Sequence, residues 1–345
     1  MAAISIPEKS TRLQLLNNVA DDAKVRKSQM SPNSAAAPPP LKCTVMMATY
    51  NEAGSIPFVL AEVAEAVEKL AKSNVVCKVL LVDDKSPDQT ADIARAESAR
   101  LGIDLEILSG NKAGLGQAVL RGFAHGLLDA PDFFVTLDAD GQHDARQMPD
   151  LVRAYLANGA DVMIGSRWTL GGSSPGTTAM RSVLSRGGNQ LFQIITGTRG
   201  VQDATTSFRV IRAEVARKFS PEHLNVTGYA FFSSFIALAH AHGFRIGETP
   251  IVFRPRYSGM SKLTLNDCTT FFKNLFKLRA ATASIRVQRA KELRLEHSAS
   301  ARSLGSNYAG SGAENTNPPD PSQPPALTIA RNSDLPKTIE RNSAI

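Results

Sequence analysis

Phe133-Phe134-Val135-Thr136-Leu137-Asp138-Ala139-Asp140-Gly141-Gln142-His143 joins an apolar run to two carboxylates and a carboxamide. The run ahead of Asp138 predicts a buried strand. The acids then emerge where the backbone leaves the sheet, which is where open α/β sheets hold ligands. Carboxylate, carboxamide and water oxygens suit a hard divalent cation such as Mg²⁺ or Mn²⁺ better than Zn²⁺, and such a cation commonly holds a diphosphate. A polar turn with a helix cap has the same local composition, because Asp-rich turns form for hydrogen-bonding reasons alone. The neighbouring segments decide between the two.

Outward from this stretch the chain reads as βα units. Lys42 to Ala48 predicts a strand, followed by Ser55 as N-cap and a helix with Val59, Leu60, Val63, Val67 and Leu70 on one face. Lys78 to Val82 predicts a second strand ending in Asp83-Asp84-Lys85-Ser86-Pro87-Asp88, before a helix to about Arg100. Asp104 to Leu108 predicts a third, leading through Gly110 to a helix from Leu115 to Leu128. The fourth ends at Asp138, with a helix near Arg146 to Leu156, and a fifth spans Asp161 to Ile164. Strands separated by single helices imply an α/β fold with a mostly parallel sheet and ligands at the carboxyl ends.

Three acidic turns then fall on one edge: Thr49-Tyr50-Asn51-Glu52, Asp83-Asp84 and Asp138-Ala139-Asp140. Acids gathered there repel one another unless a cation or hydrogen-bonding ligand joins them. This coincidence favours a nucleotide-plus-metal site over a capped turn. A Walker A loop and a G-x-G-x-x-G fingerprint are absent, and Gly110 to Gly116 lacks a following Lys-Ser/Thr pair, which argues against a P-loop or dinucleotide enzyme.

The net charge of +7 suggests an anionic partner, but its distribution matters more than its sum. Residues 41–267 carry equal numbers of basic and acidic side chains. The segment 268–291 holds Lys273, Lys277, Arg279, Arg286, Arg289 and Lys291 with no acid. In it Phe271, Leu275 and Leu278, with Phe272 and Phe276, form an apolar arc at helical spacing opposite Lys273 and Lys277. Such a segment reads either as a core-packing helix with a solvated basic face or as an interfacial helix on anionic lipid. Residues 1–40 and 292–345 have the composition of disordered segments. Cys43, Cys77 and Cys268 are few and widely spaced, which indicates neither a disulfide framework nor a zinc site and fits a reducing compartment. No apolar stretch reaches the length of a membrane span, and His143, His240 and His242 read as structural or turn residues.

Ala48-Thr49-Tyr50-Asn51-Glu52, Val82 to Thr90, Asp138 to His143, Gly165-Ser166-Arg167, Asp203 to Arg209 and Arg256 to Leu263 occur in the order found in GT-A-fold family 2 glycosyltransferases. Within those, the chain resembles the dolichol-phosphate (polyprenol-phosphate) mannosyltransferases over about residues 42–285. The resemblance implies a GT-A catalytic domain over 41–267. It implies that Ala48, Tyr50, Glu52, Val82 and Asp84 hold the base and ribose of a nucleotide sugar, with Ala48 where the family usually has Pro. Asp138, Ala139 and Asp140 would meet the sugar diphosphate, and Asp138 with Gln142 the metal. Arg167, Arg256 and Lys262 match positions that meet the nucleotide sugar or its phosphates, while Arg181 and Ser185 match those that receive the acceptor phosphate. Asp138, Asp140 and Arg167 are thereby the expected catalytic residues. Lys85 and Thr206 stand where the family tends to have Gly.

The implied reaction moves a hexose, most simply mannose from GDP-mannose, onto a polyprenyl (dolichyl) monophosphate with inversion. The expected cofactor is Mg²⁺ or Mn²⁺. The acceptor phosphate, largely ionised at neutral pH, needs no protein base. Relatives often carry a Glu after Gly-Tyr-x-Phe, where this chain reads Gly228 to Ser234 without a carboxylate. The implied partners are the nucleotide sugar, the lipid phosphate, a membrane surface on the cytosolic side and a small membrane-anchoring subunit, with no nucleic acid. The competing readings are a family 2 transferase using UDP-glucose or another acceptor, and a catalytically silent nucleotide-sugar-binding protein.

Overall fold

The computed structural model describes residues 38–219, 230–256 and 275–295. Seven strands form one sheet: β1 (Leu41–Thr49), β2 (Val75–Asp83), β3 (Leu105–Ser109), β4 (Phe133–Asp138), β5 (Val162–Ser166), β6 (Arg209–Arg212) and β7 (Ile246–Pro250). The helices between them are α1 (Ile56–Ala71), α2 (Thr90–Leu101), α3 (Leu115–Gly126), α4 (Met148–Asn158), α5 (Ala179–Thr196), α6 (Ala213–Lys218) and α7 (Ala230–Ala241). A further helix, α8, spans 275–295.

The strand order is β3-β2-β1-β4-β6-β5-β7, in which β6 runs antiparallel to both its neighbours and the other pairings are parallel. The expected mostly parallel α/β sheet is therefore present. β6 and β7 did not stand out in the sequence, because Arg209–Arg212 is short and half polar and Ile246–Pro250 lacks an apolar run.

Each sheet face has its own core, as expected for a sheet covered on both sides. On one, Val59, Leu60, Val63 and Leu70 of α1 pack with Val45 and Met47 of β1 and Val135 and Leu137 of β4. On the other, Met46, Leu80, Phe123 and Phe134 pack with Phe231 and Phe235 of α7 and with Leu275 and Leu278 of α8. Fully burying one such side chain is worth about 1.5–3 kcal/mol, so each face is held by many small gains. Alternate residues of β1 and β4 serve alternate faces, which fixes register: a one-residue slip would swap every side chain across the sheet.

Two local details differ from the sequence expectation. Ser55 sits at the N-cap position of α1 without capping it, and its hydroxyl donates to the Glu52 carbonyl (3.1 Å) and carboxylate (3.0 Å) instead. In α8, Leu275, Leu278 and Thr282 are buried while Phe276 is 68% exposed. The helical arc is thus tilted from the one expected, and its core-facing stripe runs through residues 275, 278 and 282. Phe271, Phe272, Lys273 and Cys268 lie outside the described residues, as do most of the two terminal segments. From residue 275 onward the basic segment is helical, as far as residue 295.

Candidate active site

Because β2, β1 and β4 are neighbours in the sheet, their carboxyl ends arrive side by side. Ala48 pairs with Val82 on one side and Asp138 on the other, and Thr49 pairs with Asp83. The three acidic turns anticipated from the sequence therefore open on one cleft edge.

Along the β1 and β2 turns, the Asp84 N–H donates to the Thr49 carbonyl (3.2 Å), and Asp83 accepts from the Thr49 hydroxyl (3.0 Å) and the Ser86 N–H (2.9 Å). Asp84 is buried and ion-paired with Arg121 of α3. The Glu52 N–H donates to Thr90 (3.0 Å) and the Ala53 N–H to Asp88 (3.0 Å), so α2 and its preceding loop fix the Tyr50–Glu52 turn. The Lys112 ammonium lies 3.5 Å from the centre of the Tyr50 ring. Ala48, Val82 and Ala139 offer backbone and small apolar surface, Val82 and Ala139 being buried.

The β4 turn carries the charge. The Asp138 side chain is 38% exposed at the cleft. Burial of its surroundings pushes its carboxyl above the usual range, although Ser207, Arg256, Arg167 and Arg209 pull the other way. Ser207 Oγ is itself buried and meets no partner at full hydrogen-bond geometry. Asp140 is raised by burial and then by the neighbouring Asp138 charge, even with Arg256 at 3.2 Å and the Gln142 N–H on its Oδ1 at 3.0 Å. Two adjacent carboxylates both held above their ordinary pKa are an arrangement that a cation would relieve.

His143 closes the turn from beneath. The Asp138 backbone N–H can only donate, so the His143 Nδ1 it meets at 3.3 Å is the acceptor and the ring proton sits on Nε2, facing the Thr206 hydroxyl at 3.1 Å. Burial depresses its pKa to about 4, which keeps the ring neutral. The ring packs against Phe208 and Phe253. The structural role expected for it is thus visible, and a side chain at Thr206, rather than the Gly common in the family, supplies its partner.

Arginines surround the acids. Arg167, just past β5, is gripped by the fully buried Asp203 through Nε (2.7 Å), Nη2 (2.8 Å) and its backbone N–H (3.0 Å), with Thr205 as a further acceptor at 2.8 Å. Burial alone would raise the Asp203 pKa, but the Arg167 hydrogen bonds outweigh it and hold the carboxyl below the usual range. Arg209 is fully buried, donates to the carbonyls of Phe232 (2.9 Å) and Ala204 (2.8 Å), and is pushed down to about 9 by burial. Arg254 forks onto Glu62 (2.9 and 2.8 Å) and reaches the Gly141 carbonyl (3.2 Å), tying the strap after β7 to the Asp138 turn. Asp203, Arg209, Ser207, Arg254 and Arg121 had no role in the sequence reading. Asp203, Ser207 and Arg209 lie in a polar run that stood out there, and the rest carried no signal because their partners are far away in the chain.

The expected acceptor residues lie on α5. Arg181 is exposed and Ser185 half-exposed. The helix is tied to the cleft by Asn189, which accepts from the Ala204 N–H at 2.9 Å, and by Arg186, which stacks 4.8 Å from the Trp168 ring centre. Arg167 lies over the same indole at 5.2 Å. Met180 (77%), Val183, Leu184, Leu191 and Ile194 (74%) are exposed on this helix, and Leu170 before it is 97% exposed. Their spacing of three, four and seven residues puts them on one stripe, with Arg181 and Ser185 on its flank. Lys262 lies outside the described residues.

Among the described residues no group of three or more His, Cys, Asp and Glu side chains has the arrangement of a metal centre, and no helix is long and apolar enough to cross a membrane.

The description "Glycosyl transferase family 2" matches residues 44–219. The chain belongs to glycosyl transferase family 2. This family 2 chain is similar to the polyprenol monophosphomannose synthase of Mycolicibacterium smegmatis, at 33% identity over 234 residues, 67% of this chain and 84% of that one. It is also similar to the undecaprenyl-phosphate mannosyltransferase of Micrococcus luteus, at 33% identity over 224 residues, 65% and 88% of the two chains. Among solved structures, the mannosyltransferase PcManGT from Pyrobaculum calidifontis, in complex with GDP-Man and Mn²⁺, has a TM-score of 0.44 and 15% identity over 87% of this chain and 89% of that one.

Proposed function

We propose that this glycosyltransferase moves mannose from GDP-mannose to a polyprenyl (dolichyl) monophosphate, inverting the anomeric centre. Two relatives at 33% identity named for mannosyl transfer to polyprenyl phosphates support the substrate class. The observation that carries the reading to these residues is the meeting of the Asp138, Tyr50 and Asp84 turns on one edge of the sheet, with α5 tied to the neighbouring loops through Asn189 and Arg186.

In this reading Tyr50, Glu52, Val82 and Asp84, with the Ala48 backbone, hold the nucleoside, while Asp138, Ala139 and Asp140 face the diphosphate. Arg167, Arg256 and Lys262 neutralise the leaving group. Arg167 is suited to this because Asp203 fixes its guanidinium beforehand, and a fixed charge needs no reorganisation as negative charge develops. A hard cation such as Mg²⁺ or Mn²⁺ would be held by Asp138 and Gln142. Its fit is supported by the raised carboxyl pKa values of Asp138 and Asp140, two adjacent acids that a cation would relieve. Few protein ligands suffice, since such a cation keeps waters and substrate phosphates in its shell. When bound it would supply charge neutralisation at the departing diphosphate.

Arg181 and Ser185 receive the acceptor phosphate, whose ionised oxygen attacks without a protein base. The exposed stripe from Met180 to Ile194, with Arg181 and Arg186 and no acid on α5, suits attachment at the surface of an anionic membrane, alongside the basic residues of 268–291. We place the catalytic unit at 41–267, with a membrane-anchoring subunit as a candidate partner. Incubating the protein with polyprenyl phosphate and either GDP-mannose or UDP-glucose, with and without Mg²⁺ or Mn²⁺, tests the assignment. Mannosyl-lipid formed only from GDP-mannose with metal is expected. A glucosyl-lipid would reassign the donor, and donor binding without any transfer would mark a silent binding protein.

A further inference from the structure

We propose that Arg121 is the positioning residue for donor recognition: it locks the Asp84 carboxylate in the orientation that the nucleoside end of the donor meets, and Gly110 is glycine to leave it room. This rests on the reading of Asp84 as a nucleoside contact.

Asp84 leaves the end of β2 with its backbone N–H on the Thr49 carbonyl and its carboxylate buried at 6% exposure. Arg121 reaches it from α3, thirty-seven residues further along the chain, with Nη2 on Oδ1. Among the described residues Oδ2 has no hydrogen-bond partner, so one oxygen is fixed and the other is left to accept from a ligand N–H or O–H. A buried carboxylate without a fixed cation would turn toward whichever donor came nearest. The planar guanidinium prevents this because its donors have fixed directions.

Gly110 lies directly on that guanidinium. Its N–H donates to the Asp83 carbonyl at 2.9 Å, which holds the loop against β2. A Cβ at this position would fall 2.3 Å from Arg121 Cζ and 2.4 Å from Nη2. The backbone of Gly110 is not in the left-handed region, so an alanine there meets the arginine and no conformational penalty. The loop beyond it brings Lys112 over Tyr50 and Asn111 onto Lys85 (2.8 Å). One loop therefore touches both turns expected to hold the nucleoside, and Arg121 is the rigid element beneath it.

The test uses the full chain, with calorimetry against GDP and UDP and steady-state transfer with donor and lipid phosphate varied in turn. Arg121→Met and Gly110→Ala should each weaken binding of the preferred nucleoside diphosphate by about tenfold, the size of one lost charged hydrogen bond. The donor KM should rise by the same factor, while kcat at saturating donor and the acceptor KM stay unchanged. The double variant should be no weaker than Arg121→Met alone, since both changes act through one guanidinium. Arg121→Lys, which keeps the charge and loses the planar, directed donor, should recover part of the affinity. Wild-type affinity in both variants overturns the assignment, as does a fall in kcat and a rise in acceptor KM that track a lowered melting temperature. Failure of the wild type to bind either nucleotide would sink the nucleoside reading itself, and the positioning role with it.

Discussion

In the proposed reading, the strand-end cleft and helix α5 serve the same reaction with opposite physical solutions. In the cleft nearly every charged group has a fixed counterpart: Asp84 with Arg121, Arg167 with Asp203, Arg254 with Glu62, Asp140 with Arg256. On α5 the arginines stand among exposed Met180, Val183, Leu184, Leu191 and Ile194. A small polar donor calls for prearranged charges, and an acceptor carried in lipid calls for an apolar approach with a few cations. The contrast predicts that substitutions in the cleft act through chemistry and folding, and those on α5 through access to the acceptor.

The largest effects should come from Asp138→Ala and Asp140→Asn, each lowering kcat by about 10²–10³, the scale of one lost electrostatic element in a closed site. Chelation should abolish transfer, and full turnover in excess chelator would break the metal reading. Both variants should remain folded. Because both carboxyl groups are raised by burial, their ionised forms cost the fold stability. The native state therefore holds protons more tightly than the unfolded chain, and stability falls as pH rises from the ordinary carboxyl value of 3.8 through the raised ones. Without metal at neutral pH, Asp140→Asn should melt a few degrees higher than wild type, in a calorimetric scan. Activity runs the other way with pH, declining as acid protonates the pair.

Next in size is Arg209→Met, which leaves the Phe232 and Ala204 carbonyls unsatisfied in the core and should cost about 2–5 kcal/mol of stability. Denaturant unfolding measures it. A loss of activity with unchanged stability would instead give Arg209 a direct part in the chemistry.

Much of the cleft could be read from sequence, because the βα alternation and the acids at the ends of β1, β2 and β4 are local patterns. What could not be read is the pairing. Arg121 and Arg254 meet partners 37 and 192 residues away, and neither has a neighbour in sequence that marks it. Lys85 stood out as a departure from Gly, and the structure gives the reason: its φ is 54°, in the left-handed region that glycine favours. The α5 stripe was overlooked for a different reason. Its apolar residues have ordinary helical spacing, and only their exposure distinguishes them from a core face.

A moderate effect is expected from α5. Arg181→Ala should raise the KM for lipid phosphate by about tenfold, within the range of one charge-assisted hydrogen bond, with nucleotide binding unchanged by calorimetry. An equal loss of donor affinity would move Arg181 to the other half of the site.

The smallest effect sharpens the comparison between the two segments proposed to meet the membrane. Residues 275, 278 and 282 of α8 are buried in the body, and Arg286 donates to the Thr196 carbonyl at 2.6 Å, so part of this basic helix is committed to packing at the end of α5. Lys277 remains exposed, and one basic residue near an anionic surface is worth roughly 1 kcal/mol. Lys277→Glu should therefore weaken flotation with anionic liposomes only slightly, and the remaining binding should decline gently with salt. Val183→Asp with Ile194→Asp removes apolar contact worth about 1.5–3 kcal/mol per side chain if fully buried in the bilayer, and should release far more protein at every salt concentration. Should Lys277→Glu release the protein while the α5 double variant stays bound, attachment is electrostatic and runs through α8, and the exposed stripe serves the acceptor chain alone.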